Sequence, residues 1–187
     1  MSLTYIQYPS YKNDIKKVYL NSFPKEERFP FGILEECAKE KKSYLYAILD
    51  NETFVGMYFI VNCDNAYYLM YFSVIDTLRN KKYGSKILQD LKEKYGTLFL
   101  SIEQPVDELS IRRKNFYLKN GFFETNKIYT DTEVCYEILC TNSNYIITND
   151  TMLKRYKNMS SNPKVLDTIS NTFNTNSINL TNKLNKL

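Results

Sequence analysis

A short basic segment in the middle of the chain is the clearest candidate for binding chemistry. It reads Arg79-Asn80-Lys81-Lys82-Tyr83-Gly84-Ser85-Lys86, follows an apolar run and opens an amphipathic one. The periodicity predicts a helix over Leu78–Tyr95, with Ile87, Leu88 and Leu91 on its apolar face. Because the first amides of a helix lack internal partners and its dipole favours negative charge, we expect a site for phosphate or pyrophosphate. On charge alone, a solvated basic helix start explains the segment equally well.

The absence of histidine restricts the acid–base chemistry that the chain can perform. With no His among 187 residues, proton transfer near neutral pH falls to carboxylates, Tyr, Lys, Cys or water. The four cysteines form no Cys-x-x-Cys pair, so their spacing predicts neither a zinc site nor a redox motif. We therefore expect no metal cofactor.

The hydrophobic periodicity changes along the chain, and it predicts the strands and helices that would position the basic segment. Strand-like runs joined by short polar turns predict an antiparallel meander, and a strand–helix–strand unit with a parallel pair follows it. The predicted fold is α+β, a central and mostly antiparallel sheet flanked by helices. The predicted strands are Leu3–Tyr8, Tyr44–Leu49, Phe54–Val61, Tyr67–Ile75, Leu98–Ile102, Phe122–Tyr129 and Glu133–Leu139. Further helices are predicted before Pro24 and at Gly32–Lys41, Asp107–Lys119 and Tyr145–Asn158.

Composition divides the chain into three parts. We predict a domain over residues 1–141, a helical extension over 142–160 and a poorly ordered, Asn-rich tail over 161–187. The alternative is one or two weakly amphipathic helical turns in that tail, formed by Val165, Leu166, Ile169 and Phe173. The net charge of +4 is small, which argues against nucleic acid as a partner. With no signal peptide and no apolar span, we expect a cytoplasmic protein without a membrane partner.

Two motifs, in the same order as in a known family, carry a resemblance. The run from Val74 through Arg79 to Leu88 is similar to a loop of pattern Arg/Gln-x-x-Gly-x-Gly/Ala, with Arg79 first and Gly84 last. The later run Asn115-Phe116-Tyr117-Leu118-Lys119-Asn120-Gly121-Phe122 resembles the signature FYxKxGF. Both belong to the GNAT N-acetyltransferases, and the loop FPKEERFPF after the first helix is similar to that of a bacterial-type branch. The resemblance covers about Leu3–Thr141.

The resemblance implies the acyl-CoA fold of that family, with acetyl-CoA as co-substrate between two splayed parallel strands. Backbone groups of Phe72 and Val74 would bind the pantetheine arm, and amides of the basic segment would hold the pyrophosphate. Lys82 replaces the usual first glycine, a departure that is tolerable if Lys82 keeps a negative φ, because the phosphate contacts come from backbone N–H groups. The family's cofactor-binding positions correspond here to Phe72, Ser73, Val74, Arg79, Asn80, Lys81, Lys82, Tyr83, Gly84, Ser85, Lys86 and Asn115. Arg112, Arg113 and Lys114 could add charge, or could form an exposed helix face.

The implied reaction is direct attack of a primary amine on the thioester through a tetrahedral intermediate. Glu103 is the candidate base because it ends the second splayed strand, on the same face as Ser101. Alternatively, it binds a cationic substrate or pairs with a neighbouring base. Tyr117 matches the position of a general acid for the departing thiolate, and a core tyrosine under the CoA arm is the alternative.

The acceptor pocket would come from the early loop and helices. Candidate lining residues are Glu26 or its neighbour Glu27, Phe29, Phe31 and Tyr71, because aromatic walls with carboxylates suit a cationic amine. Each of these residues is also explained by ordinary packing or surface exposure. An acyl-CoA-binding module without turnover and a basic nucleic-acid-binding or scaffold protein remain as alternative functions. The acceptor could be a small-molecule amine or a peptide amine. A homodimer is also open.

Overall fold

One mixed sheet organises the computed structural model, which describes residues 1–131, 134–172 and 179–183. Its strands in these residues are β1 (Leu3–Gln7), β2 (Ser43–Asp50), β3 (Thr53–Asn62), β4 (Tyr67–Val74), β5 (Leu98–Glu103), β6 (Phe123–Asp131), β7 (Val134–Cys140) and β8 (Thr181–Asn182). They lie in the order β1-β2-β3-β4-β5-β7-β6-β8. The described helices are α1 (Lys12–Ser22), α2 (Phe31–Lys39), α3 (Tyr83–Tyr95), α4 (Glu108–Lys119), α5 (Asn149–Lys157) and α6 (Pro163–Thr172). The predicted α+β fold is confirmed.

The sheet opens at its single parallel pair within the described strands. β4 and β5 share register only at Tyr67 with Leu98 and at Tyr68 with Phe99, and the remainder of β5 pairs with β7. On its other side β4 stays paired with β3 up to Val74. The backbone of β4 beyond Tyr68 therefore has no register partner in β5, and the two strands separate toward their carboxyl ends.

Two hydrophobic cores cover the two faces of the sheet. One contains α1, α2, α5 and α6 packed on residues such as Phe59 and Phe99. The other contains α3 and α4, with Leu91 and Phe116 packed against Leu100. Alternate residues of a strand face opposite sides, so consecutive residues of β5 contribute to different cores. The gap between β4 and β5 consequently lies between the two helical layers.

The helix after the basic segment starts later than its periodicity predicts. α3 begins at Tyr83, five residues after Leu78, and residues Asp76–Leu78 form a separate 3₁₀ turn. The reason is the backbone before Tyr83, where Asn80 and Lys82 have φ of 63° and 67° and so cannot continue a right-handed helix. The start of α3, with its free backbone N–H groups, therefore lies inside the basic segment and not before it.

Part of the predicted tail is helical in the structure. Val165 and Ile169 of α6 are buried in the same core as α2, which is the weak amphipathic pattern seen in the sequence. Phe173 lies outside the described residues. The division of the chain at 141 and 160 stays a prediction. Among the described residues, no helix is both long enough and apolar enough to cross a membrane.

Candidate active site

A cavity of about 1040 Å³ occupies the gap between β4 and β5. Residues from both strands line it, together with the loop after α1, the start of α3, one side of α4, the end of β6 and α5. Because the gap joins the two helical layers, groups from opposite faces of the sheet meet in one space. The cavity is therefore lined by residues from both helical layers.

The mouth of the cavity on the α3 side consists of the turn and helix start over residues 79–85. Arg79, Asn80, Lys82, Gly84 and Ser85 line the cavity there. No side chain caps the first turn of α3, so its backbone N–H groups are free to bind an anion. The Arg79 guanidinium is held 2.7 Å from the Asp76 carboxylate. A helix start with free amides and nearby cations is suited to a phosphate-containing ligand.

The remaining residues of the basic segment point elsewhere. The Tyr83 hydroxyl donates to Asp50 Oδ2 at 2.8 Å, and Lys86 Nζ lies 2.7 Å from Asp90 Oδ1. Lys81 is exposed, and none of these three lines the cavity. Asn115 is also exposed and outside the lining. The structure thus brings five of the eight predicted residues of the segment to the cavity.

Two positions of the mouth explain the glycines in the family pattern. Lys82 has φ of 67°, so the condition of a negative φ at this residue is not met, and it adopts the left-handed region that favours glycine. At Gly84 a Cβ atom would lie 2.9 Å from the Phe116 ring. The lack of a side chain at Gly84 therefore lets α3 and α4 approach each other beside the mouth.

The β4 wall of the cavity contains the other predicted cofactor residues. Phe72, Ser73 and Val74 line it. The hydroxyls of Ser73 and Ser22 are 2.7 Å apart, which ties the end of α1 to this wall. These three residues lie in the part of β4 that has separated from β5.

Two carboxyl groups meet on the side of the cavity covered by α1, α2 and α5, the side for which the sequence predicts an acceptor pocket. Glu103 ends β5, and Glu27 belongs to the 3₁₀ turn Lys25–Glu27 after α1. Burial, followed by the hydrogen bond and the charge of Glu103, raises the pKa of Glu27 to about 7, while the Arg113 charge opposes that rise. Arg113 Nη1 lies 3.7 Å from Glu103 Oε2. Two carboxyl groups in hydrogen-bond contact disfavour double ionisation, so Glu27 is about half protonated near pH 7.

The aromatic residue Tyr71 positions the turn that carries Glu27. Its hydroxyl donates to the Glu27 carbonyl oxygen at 3.3 Å and accepts from the Phe29 backbone N–H at 3.2 Å. Tyr71 and Phe29, two of the residues predicted for an acceptor pocket, both line the cavity. Glu26 is exposed and Phe31 is buried 5.7 Å from the Tyr19 ring, and the structure places both outside the cavity. Of the adjacent Glu26 and Glu27, the second faces the site.

Tyr117 enters the cavity from α4, on the other side of the gap. Its ring packs against Phe116 and Phe122, with centroids 5.3 Å and 5.4 Å away. Burial raises the pKa of Tyr117 to about 12, so the phenol is neutral at physiological pH. A neutral hydroxyl in this position can donate a proton or a hydrogen bond to a group bound in the gap.

A buried arginine of α5 also lines the cavity, and sequence reasoning missed it. Arg155 is 1% exposed and contacts Tyr68 and Tyr129. The available signal was an arginine among Met152 and Tyr156 on the buried side of a predicted amphipathic helix. Among the described residues, no group of three or more Cys, Asp or Glu side chains could hold a metal ion.

Comparisons with known proteins agree with this geometry. The sequence profile described as "Acetyltransferase (GNAT) family" matches residues 8–122. No curated protein sequence matched. A protein described as a GNAT-family acetyltransferase from Bacteroides thetaiotaomicron has a similar structure, with a TM-score of 0.65, 24% identity, and coverage of 75% of this chain and 86% of that one.

Two further structures contain coenzyme A. An aminoglycoside 6'-N-acetyltransferase complexed with coenzyme A has a TM-score of 0.62 and 12% identity, over 79% of this chain and 100% of that one. A Bacillus subtilis acetyltransferase in complex with CoA has a TM-score of 0.57 and 14% identity, over 75% of this chain and 99% of that one. At these identities the structural matches show a shared fold.

Proposed function

The chain belongs to the GNAT family of acetyltransferases, and we propose that it moves an acetyl group from acetyl-CoA to the primary amine of a small acceptor. The observation that carries the proposal is the separation of β4 from β5 into a cavity whose mouth is the uncapped start of α3. Such a gap accepts an extended arm between the strands and a pyrophosphate at the helix start.

The residues at the mouth fit acetyl-CoA. Arg79, Lys82 and Arg112 line the cavity beside the free amides of α3, which suits a ligand with several negative charges. On the side facing β5, the backbone of β4 from Phe72 to Val74 has no strand partner and can hydrogen-bond the amides of the pantetheine arm. Similar structures whose descriptions name CoA support the same assignment.

The carboxyl pair supplies the base. An acceptor ammonium, with a pKa of ~10, must lose a proton before its nitrogen can attack a carbonyl carbon. Glu27 accepts that proton in its ionised form, which predominates above pH 7 because its raised pKa of about 7 lies near the working pH. Glu103 orients Glu27 and attracts the cation to the site.

Tyr117 supplies the acid on the opposite side of the gap. Acetyl-CoA supplies the thioester, whose carbon forms the new C–N bond while its C–S bond breaks. Tyr117 donates its phenolic proton to the departing sulfur, and it regains a proton from the nitrogen as the amide forms. The net products are the N-acetyl amine, free CoA thiol and one released proton.

The test measures acetyl-CoA binding by calorimetry and then thiol release with a panel of primary amines. Arg79→Gln removes a charge at the mouth, whereas Lys81→Gln removes the same charge two residues away and outside the cavity. We expect Arg79→Gln to weaken acetyl-CoA binding by roughly tenfold, the size of one charged hydrogen bond, and Lys81→Gln to weaken it by less than about twofold.

Three results would count against the proposal. A wild-type protein that does not bind acetyl-CoA refutes it entirely. Equal losses in the two variants would indicate that bulk charge attracts the ligand without a defined mouth. Binding without thiol release from any amine would identify an acyl-CoA-binding module instead of an enzyme.

A further inference from the structure

Arg155 brings a buried positive charge to the acceptor side of the cavity. It lies in α5, beyond the residues that match the family profile, and it is 1% exposed. A buried guanidinium is costly unless hydrogen bonds and an opposite charge compensate for its lost hydration. Its environment therefore indicates what else the site is built to hold.

Aromatic rings and hydroxyls surround the guanidinium. The Nη1 atom, which carries two hydrogens, lies within hydrogen-bond distance of the hydroxyls of Tyr129 at 2.8 Å, Tyr68 at 3.0 Å and Ser101 at 3.4 Å. The rings of Tyr156, Tyr129 and Tyr68 lie 4.4 Å, 4.7 Å and 5.2 Å from its central carbon. These contacts hold the side chain in one position and supply part of the compensation.

The described residues supply no ion-pair partner for the charge of Arg155. No carboxylate of the described residues lies within the 4.0 Å of an ion pair with Arg155, although Asp131 lines the same cavity. The Nε and Nη2 atoms of Arg155 have no hydrogen-bond partner within that part of the chain. An anion would satisfy the charge that the described residues leave unbalanced.

The hydroxyls around Arg155 can donate hydrogen bonds to such an anion. A guanidinium can only donate, so each hydroxyl that binds it uses an oxygen lone pair and keeps its own hydrogen for another acceptor. Tyr68, Ser101 and Tyr129 all line the cavity. Their O–H groups, backed by a positive charge, make a donor cluster of the kind that binds a carboxylate.

This donor cluster lies next to the carboxyl pair. Ser101 and Glu103 are two residues apart on the same face of β5, which separates their Cα atoms by about 7 Å. A ligand amine held at Glu103 and Glu27 therefore has the donor cluster within a few bond lengths. The two subsites have opposite preferences, one for a cation and one for an anion.

We propose that the acceptor is an amino acid or a related amino-carboxylate, whose carboxylate binds the hydroxyls of Tyr68, Ser101 and Tyr129 in front of Arg155. This inference rests on the proposed acetyl transfer, because it identifies the substrate class of that same site. It assigns to α5 the role of setting acceptor specificity through the anion subsite.

The test compares amines that differ by one carboxylate. Lysine is paired with cadaverine, and δ-aminovalerate with butylamine. For the wild type we expect kcat/KM to be at least about tenfold higher for the carboxylate-bearing member of at least one pair, mainly through KM. The double variant Tyr68→Phe, Tyr129→Phe removes two donors at constant ring shape and should reduce that preference to about threefold or less.

Two controls separate the donor cluster from general damage to the cavity. Tyr136→Phe removes the hydroxyl of another cavity tyrosine, which stacks on Tyr129 at 5.2 Å and makes no hydrogen bond to Arg155 among the described contacts, so the preference should persist. Arg155→Met removes the charge itself and should abolish the preference if the variant folds. Should it not fold, the tyrosine variants still decide the question.

Calorimetry with the same ligand pairs, with and without CoA, distinguishes this inference from the proposed function. Acetylation of the simple amines as efficiently as of their carboxylate-bearing partners would refute the inference and leave the acetyltransferase activity standing. A preference unchanged in the double tyrosine variant would refute the assigned subsite. If no amine is acetylated, equal calorimetric affinities within each pair would refute it, and tighter binding of the carboxylate-bearing members would support it.

Discussion

The raised pKa of Glu27 makes the stability of the protein depend on pH in a predictable direction. In the unfolded chain this carboxyl titrates near 4.5, and in the folded protein near 7, because burial and Glu103 disfavour its charged form. Between these values the folded state holds a proton that the unfolded state has released. The free energy of unfolding therefore falls as the pH rises from about 4.5 to about 7, and it stays lower above that range.

The substitution Glu27→Gln keeps the shape of the protonated group and removes the titration. The difference between about 4.5 and about 7 corresponds to at most about 3 kcal/mol at pH 8, since Glu27 is only half-buried and solvent screens part of the effect. We expect the variant to be more stable than the wild type by up to that amount at pH 8. Near pH 5 the two proteins should differ little.

Chemical denaturation at pH 5, 6, 7 and 8 measures this difference in stability. Acetyl-CoA turnover at pH 8 should also fall in Glu27→Gln, because the variant has lost the proposed base. Glu26→Gln is the matched control, because Glu26 is the adjacent, exposed carboxylate of the same turn. Its stability relative to the wild type should be nearly constant across the series. A difference for Glu27→Gln that does not grow with pH, or one of the opposite sign, would refute the assignment of the shared proton to this pair.

Two further substitutions test the acid and the wall of the cavity. Tyr117→Phe should lower kcat by roughly 100-fold while acetyl-CoA affinity, measured by calorimetry, stays near the wild-type value; an unchanged kcat would remove the acid role. Gly56→Ala should destabilise the protein by about 1–3 kcal/mol in urea denaturation, because the added Cβ would lie 2.1 Å from the backbone oxygen of Ser73 on β4. Gly32→Ala, where nothing lies within 4 Å in a helix, should instead stabilise by up to about 1 kcal/mol, and equal effects at the two glycines would contradict the close approach of β3 and β4.

Local patterns in the sequence determined the elements and the family. The amphipathic run after Arg79, the alternating strands and the two motifs depend on residues close together in the chain, and periodicity reports such relations directly. For the same reason, the alternation of side chains along a strand is enough to assign Ser101 and Glu103 to one face. Lys82 marks the limit of such local patterns, because a lysine side chain gives no indication of the left-handed backbone that this residue adopts.

Only the tertiary structure decided which side chains share the cavity. Glu27, Glu103 and Arg155 come from a turn, a strand and a late helix, and their proximity depends on how the sheet separates the two helical layers. Sequence spacing carries no information on such long-range contacts, so Glu26 and Glu27 looked equivalent and Arg155 looked like one more charged helix residue. Burial then changes the chemistry of these groups: it raises the pKa of one carboxyl toward neutrality and leaves one guanidinium without an ion-pair partner among the described residues.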